Sequence, residues 1–273
     1  MSKLRLNLLL LGWLVSLWAT SAQESIRYSV LYYPYDVSQE RAIARPHPDY
    51  SGWPDTRMTR DIERIARSGI QEIIVFYQPD EVRDKERLSR LRRFHELASV
   101  QKGLLVQVVV NCAGIPLAGY ESFLNRLAAL NLQGFSSTAQ QQRKPVLMLR
   151  DAGHLKLVSH PALRMETYPW TRAFESKRVA GALVRGEHND GGIVIPVARI
   201  DTEQWAQGKE VWLIKRRRAR ALIRSLKGAQ ELGFTRVILD SWNNYRTGSF
   251  LEPNLLDGDT VLQALRKHLG LEE

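Results

Sequence analysis

The stretch Leu104-Leu-Val-Gln-Val-Val-Val110 holds one polar residue in seven positions and shows no alternation of polar and apolar side chains. A strand of this kind is buried on both faces, which a parallel sheet covered by helices provides and a one-sided antiparallel sheet does not. Toward the N-terminus, Glu72-Ile-Ile-Val-Phe-Tyr77 reads the same way. Between the two, a charged segment over residues 85–100 sets Leu88, Leu91, Phe94 and Leu97 on one helical face. Earlier still, a helix with Met58, Ile62, Ile65 and Ala66 on one face, capped by Asp55 and stopped at Gly69, follows the strand Tyr28-Ser-Val-Leu-Tyr-Tyr33.

The same alternation continues toward the C-terminus. A helix over residues 120–130 precedes a polar loop at 134–144 and a strand at 145–149. The pattern is poor over 151–185, apart from a short strand at 179–184. Then come a strand at 193–197, one long helix over 202–232, a strand at 235–240 and a closing helix over 260–269. Six or seven strands with intervening helices predict an α/β fold, a TIM-like (β/α) barrel of parallel strands with outer helices. An open doubly wound sheet is the alternative, weakened by the lack of a Gly-rich dinucleotide or phosphate loop after the first strand. No Pro/Gly/Ser-rich linker divides residues 23–273, so a single barrel domain is expected.

Residues 1–23 have a different character. Lys3 and Arg5 precede an apolar run from Leu8 to Ala19 that ends in Thr20, Ser21 and Ala22, the layout of a secretory signal peptide. The run is shorter than the ~20 residues of a membrane-spanning helix. A leader over 1–22, a secreted or periplasmic location and no membrane span after cleavage are therefore expected. The whole sequence of 273 residues carries 39 Lys+Arg against 29 Asp+Glu, a net charge of +10. Loss of Lys3 and Arg5 lowers that excess to +8. Cys112 is the single cysteine, so no internal disulfide can form and stability must come from the core.

In a barrel, chemistry sits at the C-terminal strand ends. There the sequence offers Tyr33, Tyr35 and Asp36; Tyr77, Asp80 and Glu81; Asn111; Asp151; Arg199 and Asp201; and Asp240, Trp242, Asn243 and Asn244. Aromatic rings beside carboxylates and amides suit sugars, whose C–H faces stack on rings while their hydroxyls need donors and acceptors.

Ser241-Trp-Asn-Asn-Tyr-Arg-Thr-Gly-Ser-Phe-Leu-Glu-Pro253 is similar to the terminal signature of glycoside hydrolase family 99 and its relatives in polysaccharide gene clusters. Leu31-Tyr-Tyr-Pro-Tyr35 and Ser68-Gly-Ile-Gln-Glu-Ile-Ile-Val-Phe-Tyr77 resemble the first two strands of that family, and Asp257-Gly-Asp-Thr-Val-Leu262 resembles its closing helix. The resemblance implies a (β/α) barrel and endo-acting cleavage of mannose-containing glycans. It also implies two glutamates as the chemical groups, and Asn244 and Thr247 stand at their positions. Neither exchanges a proton near neutral pH, whereas glycoside cleavage ordinarily uses two carboxyl groups.

Two readings follow. In one, the protein is an endo-acting glycoside hydrolase whose carboxylates lie elsewhere, drawn from Asp80, Glu81, Asp151 and Asp201, with Tyr33, Tyr35, Asp36, Tyr77, Trp242, Asn243, Asn244 and Arg246 binding substrate. In the other, it is an inactive relative that binds glycan in polysaccharide export or assembly. The enzyme reading comes first, because most barrels of this kind are enzymes. His47 and Trp53, in the loop after the first strand, are candidates to cover the site, whereas Glu252 reads as structural. The six histidines lack metal-ligand spacing, and no cofactor or metal is expected.

The run Lys215-Arg-Arg-Arg-Ala-Arg220, with Arg224 and Lys227, reads as the solvated face of the long helix. The other reading of this face is a docking site for an anionic polymer or lipid head groups, which would make the glycan partner acidic. No nucleic-acid-binding module is recognisable.

Overall fold

Strands β1 (Arg27–Tyr32) and β2 (Glu72–Tyr77) run parallel, with Leu31 opposite Ile74. The structure, a computed structural model, describes residues 26–34, 44, 46–47, 52–77, 85–101, 103–111, 117–129, 146–150, 161–167 and 192–271. The expected leader, Cys112 and the expected strand at 179–184 lie outside the described residues.

Beyond β2 the sheet continues through β3 (Leu105–Asn111), β4 (Val146–Arg150) and β5 (Arg164–Thr167). On the other side of β1 lies β9 (Arg236–Asp240), followed by β6 (Gly192–Pro196). All six pairings are parallel. Each neighbour is consecutive in the chain among these seven strands, and the last lies beside the first. That is the order of a ring cut between its fifth and sixth members. A doubly wound sheet instead reverses its strand order at a switch point. Among the described residues β5 and β6 are not paired, so the barrel is not closed there.

The outer helices that cover this sheet are α1 (Asp55–Arg67), α2 (Lys85–Ser99), α3 (Leu117–Ala129), α5 (Arg220–Glu231) and α6 (Thr260–His268); the short α4 (Thr202–Ala206) lies outside it. Helical periodicity seats Met58, Ile62 and Ile65 of α1 and Leu88, Leu91 and Phe94 of α2 in one buried layer with Val30, Val75, Val108 and Val237. Alternate residues Leu31, Ile74, Phe76, Val109, Val194 and Ile238 form a second cluster inside the curl of the sheet. Burial on both faces explains the unbroken apolar strands, each such side chain contributing about 1.5–3 kcal/mol. The floor of the interior is polar. Arg236 reaches Glu72 at 2.5 Å and Gln107 at 3.2 Å, and the Ser29 hydroxyl donates to Glu72.

Several expectations are corrected. Pro54 is the N-cap of α1, and Asp55 instead ion-pairs from the first turn with Arg90 (2.9 Å) and Arg93 (2.8 Å) of α2. Gly69 does end the helix: its φ of +79° belongs to glycine, and a Cβ there would meet Leu271 Cδ1 at 2.5 Å. The long helix over 202–232 is two helices. Gly208, at φ +77°, ends the first, and β8 (Trp212–Ile214) pairs antiparallel with β7 (Arg199–Ile200) before a 3₁₀ turn (Arg217–Ala219) leads into α5. The β-prone run Val211-Trp-Leu-Ile214 behind a glycine was the local signal. Strand β5 escaped the sequence pattern because Arg164-Met-Glu-Thr167 carries two charges in four residues.

Candidate functional site

The period-two alternation decides which strand-end residues look into the barrel. Tyr33 packs on the inner cluster, and its ring centroid lies 5.0 Å from that of Phe76. Asp240 follows in phase with Arg236 and Ile238 and so belongs to the interior face at the C-terminal end of β9. Tyr33 and Asp240, both half-buried, line the mouth, with the buried Phe76 packed against Tyr33. Tyr32 and Tyr77 alternate the other way, into the layer beneath the helices. Tyr77 is 1% exposed with its hydroxyl 3.5 Å from the Arg87 carbonyl, so it presents no ring to the mouth.

A tight hairpin follows β9. Strands β10 (Asn243–Asn244) and β11 (Ser249–Phe250) pair antiparallel around a turn in which Gly248 adopts φ +75°. Trp242, at the hairpin's base, is fully buried in the outer layer and offers no stacking face. Asn243 is buried and spends its carboxamide on backbone: Oδ1 accepts from Tyr33 N at 2.8 Å and Nδ2 donates to Tyr33 O at 2.7 Å. Asn244 and Thr247 are half-buried and adjacent, with Thr247 N donating to Asn244 Oδ1 at 3.3 Å. Arg246 is exposed in the turn.

Asp201 caps α4, its Oδ1 accepting from Glu203 N at 3.0 Å and Gln204 N at 3.1 Å. It follows β7, outside the seven-stranded sheet. Tyr35, Asp36, Asp80, Glu81 and Asp151 lie outside the described residues. The structure thus brings together Tyr33, Asn243, Asn244 and the hairpin turn. Asp240 completes the mouth, and the buried Phe76 supports Tyr33 from within. Both follow from the sequence by counting in twos, Phe76 from Glu72 and Asp240 from Arg236.

Trp53 and His47 do not cover this mouth. Trp53 packs against Tyr32 and Phe94 on the helix side of β1, its Nε1 donating to the Tyr32 hydroxyl at 3.0 Å. His47 is tied by its backbone to Pro253 O at 2.8 Å. Beneath them lies a buried charged group. The Tyr32 hydroxyl donates to Asp61 at 2.7 Å, Asp61 is 3.5 Å from both Arg57 and Arg60, and Arg60 is 3.6 Å from Glu252. Glu252 accepts from the Tyr245 hydroxyl at 3.1 Å, which joins the hairpin to α1. Burial pushes the Tyr32 and Tyr245 hydroxyls well above the usual tyrosine range, so both remain donors. Glu252 is therefore part of the support behind the hairpin.

Among the described residues no group of three or more His, Cys, Asp or Glu side chains is placed to hold a metal ion, and no helix is long and apolar enough to cross a membrane.

No family model and no curated protein matches the chain. Solved structures do. A GH99 endo-α-mannosidase from Bacteroides thetaiotaomicron superposes with a TM-score of 0.62 at 11% identity, over 89% of this chain and 96% of that one. A glycoside hydrolase-like protein superposes with a TM-score of 0.61 at 14% identity, over 90% and 94% of the two chains. The chain therefore has the (β/α)-barrel fold of the GH99 endo-α-mannosidase, over nearly the full length of both proteins.

Proposed function

We propose that this is an exported glycan-binding barrel, released from its leader after Ala22, that holds a polysaccharide chain at the C-terminal mouth lined by Tyr33, Asp240 and the 243–250 hairpin. One observation carries this reading: the two hairpin positions that the family resemblance assigns to glutamates hold Asn244 and Thr247 side by side. They can offer hydrogen bonds to sugar hydroxyls and cannot shuttle protons near neutral pH. Asp201, the described member of the expected carboxylate set, is committed to capping α4.

The exposed cations Lys215, Arg217, Arg220, Arg224 and Lys227 favour an acidic polymer, held by charge alongside the mouth. Hydrolysis is the second reading. Asp240 favours it, because it supplies one carboxylate at the interior end of β9.

Incubation of the mature chain with neutral and acidic bacterial polysaccharides, scored for both retention and new reducing ends, separates the two. Retention without cleavage supports the binding protein. Cleavage that disappears in Asp240→Asn supports the hydrolase, and neither retention nor cleavage overturns both. Mass spectrometry of the exported chain should show Gln23 as its first residue.

A further inference from the structure

Arg216 lies within the basic run but not on its surface. Arg216 is 6% exposed, whereas Lys215 and Arg217 on either side are exposed. Its guanidinium holds Asp257 in two contacts, Nε to Oδ2 at 2.7 Å and Nη2 to Oδ1 at 3.2 Å. Nη1 donates to Phe250 O at 2.9 Å and Gly248 O at 3.3 Å, and the Arg216 Cζ stands 3.9 Å from the centre of the Phe250 ring. A planar fork of five donors can satisfy a carboxylate and two carbonyls at once while its face lies on an aromatic ring; an ammonium cannot.

The backbone around Arg216 is bent to aim it. Arg217 has φ +27° and Ala219 φ +61°, left-handed conformations in residues other than glycine, and Ala219 N donates back to Arg216 O at 2.7 Å. Strain of this kind persists only where surrounding contacts hold it. Asp257 is fixed in turn, because Asn254 donates to its Oδ1 at 2.8 Å and accepts from its N at 3.1 Å. The far side of the hairpin is held by Ile200 N, which donates to Thr247 O at 2.9 Å.

We propose that Arg216 is the positioning residue of the site hairpin: it grips β11 from behind and so fixes where Asn244, Arg246 and Thr247 stand at the mouth. This rests on the reading of that mouth as the glycan site, but its first test does not. Hydrogen exchange of the full mature chain should show the Thr247, Ile200 and Leu251 amides exchanging at least tenfold faster in Arg216→Met, with β1, β2 and β9 amides unchanged. Arg216→Lys should not restore the slow exchange, and Asp257→Asn should give a smaller effect in the same amides. Unchanged hairpin exchange, or a uniform rise across all amides in both Arg216→Met and Asp257→Asn, overturns the proposal. Where the wild type binds a polysaccharide, Arg216→Lys should lose affinity tenfold or more at a melting temperature close to wild type. A wild type that binds none of the panel refutes the glycan reading and leaves the exchange result to decide the role of Arg216.

Discussion

The Asn243 carboxamide pairs with both backbone groups of Tyr33, two residues 210 positions apart in sequence. The pairing joins the end of β1 to the hairpin after β9, across the place where the last barrel strand meets the first. Asn243→Ala leaves a backbone donor and acceptor without partners, at about 1–3 kcal/mol each. Urea unfolding should show a loss of about 2–4 kcal/mol. Asn243→Asp keeps the acceptor but sets a carboxylate against the Tyr33 carbonyl and should be no better tolerated. A loss under 0.5 kcal/mol in both would mean that this pairing does not close the site.

The barrel floor makes a second prediction. Glu72 is fully buried and Arg236 is 17% exposed, at 2.5 Å, with Ser29 and Gln107 completing the network. Removing one partner strands the other charge, so Glu72→Ala should cost about 3–5 kcal/mol. Glu72→Met with Arg236→Met should recover much of that loss. A double variant as unstable as the sum of the single variants would show that the two side chains do not act as a pair.

Ala219 tests the bent backbone before α5. In an ordinary helix interior, alanine to glycine costs about 1 kcal/mol. At φ +61° the left-handed strain relieved is of similar size, about 1–2 kcal/mol. Ala219→Gly should therefore leave the melting temperature unchanged or raise it, and Ala219→Val should lower it. Differential scanning calorimetry reads both.

Acid lability should trace partly to His95 on α2. Burial pushes its imidazole below the usual value of 6.5, with Glu96 opposing in part. The unfolded chain then binds a proton before the folded one does. Stability is full above pH 6.5 and declines as pH falls from 6.5 through the lower folded value. His95→Gln should flatten that part of the stability profile. An identical slope in the variant would assign the effect elsewhere, with His268, shifted the same way by burial and Lys227, as the next candidate.

Particular residues show where the sequence was legible. Leu104 to Val110 disclosed the parallel sheet because seven nearly unbroken apolar positions have few other uses, and Gly69 marked its helix end because its backbone needs a positive φ. The direction of each strand-end ring was less visible. Tyr32, Tyr33 and Tyr77 look alike in sequence, yet a single step of the pleat sends Tyr33 to the mouth and the other two beneath the helices. Arg216 was invisible within Lys215-Arg-Arg-Arg-Ala-Arg220, because its partners Asp257, Gly248 and Phe250 are more than thirty residues away. Asp201 did what an aspartate before a helix does most often and capped it.

The claim that the mouth holds a glycan is tested most directly by affinity electrophoresis of the mature wild type and Tyr33→Ala through gels containing each polysaccharide of the panel. Tyr33 packs tilted against Phe76 at the rim, and its loss removes ring surface without touching the Asn243 pairing, which uses only Tyr33 backbone. At least one polymer should retard the wild type, an acidic one most strongly and less so at high salt. Tyr33→Ala should lose that retardation with a tenfold or greater rise in Kd, about 1.4 kcal/mol. Equal retardation of the wild type and a folded Tyr33→Ala would contradict the claim.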